Sequence, residues 1–190
     1  HKIITIYPGV VVKDEYLEDE FQRMKNKFDI KGEYVLFLGT IEPRKGHLQT
    51  IAAFEMLWQQ GFDINLVIVG KEGWQDLPDE QRRTIPKIIN KINKHSELNK
   101  RLFWLDGISD EYLEKVYSSS TCLIAASEGE GFGLPLIEAA QHKLPIIARD
   151  IPVFREVAGE HAYYFKGKEP KALAMAIQNW LKLYKTKNIK

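Results

Sequence analysis

Short β-branched and aliphatic runs alternate with amphipathic helical stretches along almost the whole chain, and this alternation constrains the fold more than any other feature. The candidate strands are Ile3–Ile6, Tyr34–Leu38, Ile64–Val69, Leu102–Leu105, Cys122–Ala126, Pro145–Ala148 and Ala162–Phe165. Several are continuously apolar, the pattern of parallel strands covered by helices on both faces. Between them, Glu15–Phe28, Leu48–Gln59, Ile85–His95, Asp110–Tyr117, Leu136–His142 and Lys171–Tyr184 repeat their apolar residues at helical spacing. Ser109 stands where a helix N-cap is expected. Strand–helix alternation of this kind argues right-handed βαβ units. The expected fold is therefore α/β, a Rossmann-like, doubly wound parallel sheet.

At 190 residues the chain suits one full-core domain and is short for two. It carries no internal repeat, low-complexity tract or Pro/Gly/Ser linker, so residues 1–190 read as a single domain. It opens at His1 with no signal-peptide pattern and reads as a piece of something longer. Lys plus Arg number 27 against 26 Asp plus Glu, and this balance gives no electrostatic case for a nucleic-acid partner. The lone cysteine, Cys122, lies in an apolar run and reads as core, so no disulfide supports the fold. No apolar run approaches the ~20 residues of a membrane span, and a cytoplasmic location is expected. Arg82, Arg83, Lys87, Lys91 and Lys94 around an isoleucine-rich helix, with Lys182, Lys185, Lys187 and Lys190 near the end, leave peripheral membrane contact open. Isoleucines packed on the sheet with lysines in water explain the same pattern and are favoured.

In open α/β sheets, ligands bind beyond the C-terminal ends of the strands. After Ala126 the chain reads Ser127-Glu128-Gly129-Glu130-Gly131-Phe132-Gly133-Leu134-Pro135-Leu136-Ile137-Glu138. The glycines let backbone approach a ligand, and Pro135 suits the first helical position. The free N–H groups of that helix start form an anion site, for which a diphosphate is the natural guest. Glu130 and Glu138 beside a diphosphate would repel it, so they are read as acceptors for sugar and ribose hydroxyls. The loop Gly39-Thr40-Ile41-Glu42-Pro43-Arg44-Lys45-Gly46 supplies the cations that such a site needs. Those cations also suit stabilisation of a departing nucleoside diphosphate.

The E-x7-E motif from Glu130 to Glu138 resembles that of the retaining glycosyltransferases of the GT-B fold. So do the G-T-I-E-P-R-K-G loop, D-G-I-S-D-E-Y-L at 106–113, P-V-F-R-E-V-A-G at 152–159 and Y-P-G-V at Tyr7–Val10. The filling around Arg44 is most similar to mannosyltransferases of polysaccharide assembly. The resemblance covers the C-terminal, donor-binding half of a GT-B enzyme. It implies that an N-terminal acceptor domain is absent and that the isolated domain transfers little. It implies a nucleotide-sugar donor, most simply GDP-mannose, and a glycan or lipid-linked acceptor.

By the same resemblance, Glu130 contacts donor-sugar hydroxyls, Glu138 the ribose, and Arg44 and Lys45 the diphosphate. Backbone at Gly131, Phe132, Gly133 and Leu134 completes the phosphate cradle beside Gly39 and Thr40. Ile108 meets the base, with Leu113 packed nearby. Many relatives place Arg where this chain has Thr40, so Arg44 is assigned that role. Retention is implied to proceed by front-face attack, a donor phosphate oxygen taking the acceptor proton. No D-x-D motif occurs, and neither a metal nor another cofactor is expected.

Other readings bear on the same residues. A dinucleotide-binding dehydrogenase would need G-x-G-x-x-G, but Leu136 and Leu134 occupy the third glycine position in the two possible frames. A GT-B-related epimerase and a non-catalytic sugar-nucleotide-binding module remain alternatives. Arg44 and Lys45 also fit a solvated loop pair, and Trp74, after a sheet-edge glycine, is a candidate for lining the cleft.

Overall fold

The computed structural model describes residues 3–7, 10–13 and 32–187. The helix expected over Glu15–Phe28 lies outside the described residues, as do parts of the Tyr7–Val10 motif and the last basic residues.

Strands β1 (Ile3–Tyr7) and β2 (Val10–Lys13) form an antiparallel hairpin. The expectation that Ile3–Ile6 belongs to the parallel alternation is corrected here. Its partner, the equally apolar run after Gly9, is close enough in sequence to pair directly without a crossover.

The main sheet holds six parallel strands: β3 (Tyr34–Leu38), β4 (Asn65–Val69), β5 (Leu102–Leu105), β6 (Cys122–Ala125), β7 (Ile146–Arg149) and β8 (Tyr163–Phe165). Their spatial order is β5-β4-β3-β6-β7-β8, the doubly wound arrangement. The connecting helices are α1 (His47–Gln59), α2 (Ile85–Asn93), α3 (Asp110–Ser119), α4 (Leu134–Gln141), α5 (Pro152–Ala158) and α6 (Pro170–Lys187). Ser109 caps α3 as expected, its Oγ accepting from Tyr112 N at 3.3 Å. Helix α5 has no counterpart among the expected helices: Pro152 starts it and Gly159 ends it after only seven residues, too few for a visible repeat.

Alternate side chains along each strand feed two cores, one on each face. Val35 and Phe37 pack with Ile51, Phe54 and Leu57 of α1, Ile85 and Ile88 of α2, and Ile177 of α6. Tyr34 and Leu36 pack with Val116 and Tyr117 of α3, Leu136 and Ala139 of α4, and Phe154 of α5. Each large apolar side chain fully buried this way contributes about 1.5–3 kcal/mol. The isoleucines of α2 are buried or half-buried while Arg83, Lys87 and Lys94 are exposed, as favoured above; Lys91 is half-buried and Arg82 is buried, so these two do not face water as expected. Among the described residues no helix is long and apolar enough to cross a membrane.

Candidate functional site

From β3 the chain winds outward to β4 and β5, then returns across the sheet to β6 and winds the other way. The loops after adjacent β3 and β6 therefore lead to α1 and α4 on opposite faces, and the crevice where ligands bind in such sheets lies between them. The two loops singled out above leave these two strands.

They are bonded to each other. Glu128 N donates to Arg44 O at 2.8 Å, and the Arg44 guanidinium donates to Gly129 O at 2.7 Å. Gly46 caps α1 at φ 86°, and a Cβ built there would lie 2.5 Å from Ala126 O. Only glycine meets both demands, the left-handed backbone and the close approach.

The charged groups converge across this junction. Lys45 Nζ pairs with Glu130 Oε1, and Arg44 reaches Glu130 Oε2 at 3.1 Å. Ser127 Oγ donates to Glu130 Oε1 at 2.8 Å, and Arg44 also meets Glu42 at 3.2 Å. The side chains of Lys45 and Glu130 are only 12 % and 10 % exposed, so Lys45 is not a solvated loop cation, whereas Arg44, 47 % exposed, is largely open to water. Burial alone would raise the Glu130 carboxyl. Hydrogen bonds from Lys45 and Ser127, the Lys45 charge and Arg44 outweigh it and hold the group below the usual carboxylate value.

The glycine-rich loop leads into α4 through Gly133, left-handed at φ 65°. Leu134 is the first helical residue and Pro135 the second, one place later than expected. The N–H groups of Phe132, Gly133 and Leu134 take no partner from the described residues, so this helix start is free to receive an anion. Phe132 and Leu134 project into solvent.

Glu138 lies one turn inside α4, half-buried. The Tyr117 hydroxyl donates to its Oε2 at 2.7 Å. Burial first, and then Glu138, push the Tyr117 phenol well above its ordinary value, so it stays a donor. His142 stacks on Tyr117, ring centroids 5.0 Å apart, and its Nε2 meets Glu114 at 3.0 Å. Ile108 and Leu113, half-buried, follow β5 two strands beyond β3. At about 4.8 Å per strand, the line from the β5 loop to the β6 loop runs roughly 14 Å, a span suited to a nucleoside diphosphate.

The β4 loop presses on the β3 loop: Gly73 N donates to Ile41 O at 3.1 Å, and Ile41 bridges Glu72. Arg82 anchors it by pairing with Glu72 and Asp79 and donating to Gly73 O at 3.0 Å. Trp74, left-handed at φ 52° and partly exposed, sits in this loop with Arg83 5.8 Å over its ring. Gly39 lies against the Lys45 side chain, and Thr40 is exposed beside it.

Two participants escape the sequence reading. Ser127 carries a usable signal, standing first after a strand. Tyr117 carries none, because its approach to Glu138 depends on how α3 packs on α4. Among the described residues, no group of three or more His, Cys, Asp and Glu side chains is placed to hold a metal.

Comparison with known proteins bears on the family and the fold. The chain matches the family described as Glycosyl transferases group 1 across residues 18–189. It is 56 % identical over 149 residues to the serotype-specific mannosyltransferase WbdA of Escherichia coli, covering 78 % of this chain and 17 % of that protein. To the O-antigen chain mannosyltransferase RfbU of Salmonella typhimurium it is 30 % identical over 178 residues, 94 % of this chain and 44 % of the relative. The chain thus spans less than half the length of either. In fold it resembles a glycosyltransferase from Rickettsia africae, with a TM-score of 0.67 at 23 % identity over 90 % of this chain and 43 % of that one. It also resembles the C-terminal domain of a glycosyl transferase group 1 family protein (LpcC) from Francisella tularensis, with a TM-score of 0.66 at 23 % identity over 85 % and 82 %. With the match running from residue 18 to 189, this chain belongs to the glycosyl transferases group 1 family.

Proposed function

We propose that this chain is the donor-binding half of a retaining mannosyltransferase that takes GDP-mannose and acts with a separate acceptor-binding domain. The observation that carries the reading is the convergence of Arg44, Lys45 and the free α4 N-terminus on one crevice, with Glu130 among them. The mannosyltransferase relatives support the choice of sugar.

The diphosphate lies between the α4 N–H groups and the two cations, which neutralise it without a metal ion. Glu130 accepts hydroxyls of the mannose, and Glu138, steadied by Tyr117, accepts the ribose. The base meets the Ile108 backbone beside Leu113. As the glycosidic C–O bond to the phosphate breaks, charge grows on the leaving diphosphate, and Arg44 and Lys45 stabilise it where it grows. The acceptor hydroxyl attacks from the same face and gives its proton to a donor phosphate oxygen. No side chain of this half then acts as a nucleophile. The acceptor is a glycan or lipid-linked sugar, and the reaction takes place in the cytoplasm.

Calorimetric titration of the chain with GDP, UDP, ADP and NAD in EDTA tests the reading. Selective GDP binding is expected. Preference for UDP would move the donor to another sugar, and failure of every diphosphate, or loss of binding with the chelator, would overturn the site as described.

A further inference from the structure

Arg149 ends β7 and is buried at 6 % exposure. Its Nε and one terminal nitrogen donate to Ala126 O at 3.1 and 3.0 Å. The other terminal nitrogen donates to Gly167 O, and the first also reaches Gln49 Oε1. Its ring contact is Phe165, with the guanidinium carbon 5.1 Å from the centroid. Among the described residues every hydrogen-bond partner of this guanidinium is uncharged.

That is an unusual way to bury a cation. A buried charge costs several kcal/mol unless a counter-charge or a full set of hydrogen bonds offsets it. Burial lowers the Arg149 pKa from its ordinary value, with the Glu128 charge opposing, but arginine remains charged at neutral pH. Glu128 itself is paired with Lys168 at 2.6 Å. The carbonyl that Arg149 grips twice, Ala126 O, is the one against which Gly46 packs. The guanidinium therefore sits beneath the junction of the two loops that hold Lys45 and Glu130. His47, the next residue along from Gly46, is also buried there, and its neutral ring adds no charge.

We infer that Arg149 is a positioning residue for donor binding, whose unpaired buried charge is offset by the incoming diphosphate while its two bonds to Ala126 O fix the start of the Ser127–Glu130 segment. The low dielectric around the guanidinium lets its charge act over a longer distance than an exposed lysine's would. The inference rests on the diphosphate reading above.

The test is calorimetry of the parent chain and of Arg149→Gln with GDP, GMP and guanosine, with thermal melting as the check on folding. The loss should scale with phosphate charge: about tenfold for GDP, less for GMP and none for guanosine. Gln49→Glu serves as the second variant, keeping Arg149 but giving it a carboxylate. It should reproduce the same graded loss, and it covers the case in which Arg149→Gln fails to fold. Equal losses for all three ligands would make Arg149 purely structural and overturn the inference. Undiminished GDP affinity in Gln49→Glu would overturn it too. If the parent binds no diphosphate, the donor-site reading falls and takes this one with it; if the parent binds and the variants match it, only this one falls.

Discussion

The carboxylate of Glu130 takes both cations of the β3 loop at once, Lys45 through Oε1 and Arg44 through Oε2 at 3.1 Å. It thereby holds the two groups assigned to the diphosphate while being itself assigned to the sugar. The two assignments are compatible if a diphosphate exchanges with the carboxylate and frees it for the mannose hydroxyls. Glu130→Gln removes that competition. The variant should bind free GDP about threefold to tenfold more tightly while losing its preference for GDP-mannose over GDP, and full-length enzyme carrying it should not transfer. Weaker GDP binding by calorimetry would mean that Glu130 aids the phosphate site instead of competing for it.

Glu138 and Tyr117 form the second such pair, bonded at 2.7 Å. If Glu138 accepts the ribose hydroxyls, Glu138→Ala should cost about 1.5–3 kcal/mol in GDP affinity, the range for a hydrogen bond to a charged group. Tyr117→Phe should cost less, about 0.5–1.5 kcal/mol, because the carboxylate remains and loses only its support. Comparison with 2′,3′-dideoxy-GDP gives the decisive reading. The penalty for losing the ribose hydroxyls should be large in the parent and vanish in Glu138→Ala. A penalty of the same size in both would remove Glu138 from the ribose.

The sheet was legible because its strands are buried on both faces, so Tyr34–Leu38 and Cys122–Ala125 stand out as unbroken apolar runs without help from tertiary context. The crevice followed from the alternation of strands and helices, since strand order in such sheets decides which loops meet. Glu130 and Lys45 were legible as site residues, but their direct pairing was not, because it joins positions 85 residues apart through side-chain rotamers. Helix α5 and strand β2 are each too short to show a period. Tyr117 reads in sequence as one more apolar-face residue of α3, and only its hydroxyl's neighbour gives it a role.

Gly46 should be intolerant of any side chain. At φ 86°, with Ala126 O only 2.5 Å from where a Cβ would stand, Gly46→Ala combines left-handed backbone strain of about 1–2 kcal/mol with a steric clash of similar size. Urea denaturation should show a loss of about 2–4 kcal/mol. Gly61→Ala, also left-handed at φ 82° but with open space around its Cβ, should lose only the backbone share. Equal losses in the two variants would mean that the β3 and β6 loops do not press together at this point.

His47 makes stability depend on pH in a window of its own. Burial pushes its pKa down to about 3, with the Gly39 backbone opposing and the Lys45 charge adding to the shift. Its ring is buried and lies 4.6 Å from that of Phe37. An unfolded histidine titrates near pH 6.5. Between that value and about 3, the unfolded chain binds a proton that the folded chain refuses, so stability falls as the pH falls. The slope should approach about 1.4 kcal/mol per pH unit. Glu130, held below its ordinary value, loses its contribution only at lower pH, so the interval from about 6.5 down to 4.5 belongs mainly to His47. Melting temperatures should therefore decline across that interval in the parent and stay nearly flat in His47→Leu, which keeps the apolar packing on Phe37 and removes the titrating group. The same decline in both proteins would place the acid sensitivity elsewhere and show that the His47 ring accepts its proton without leaving the core.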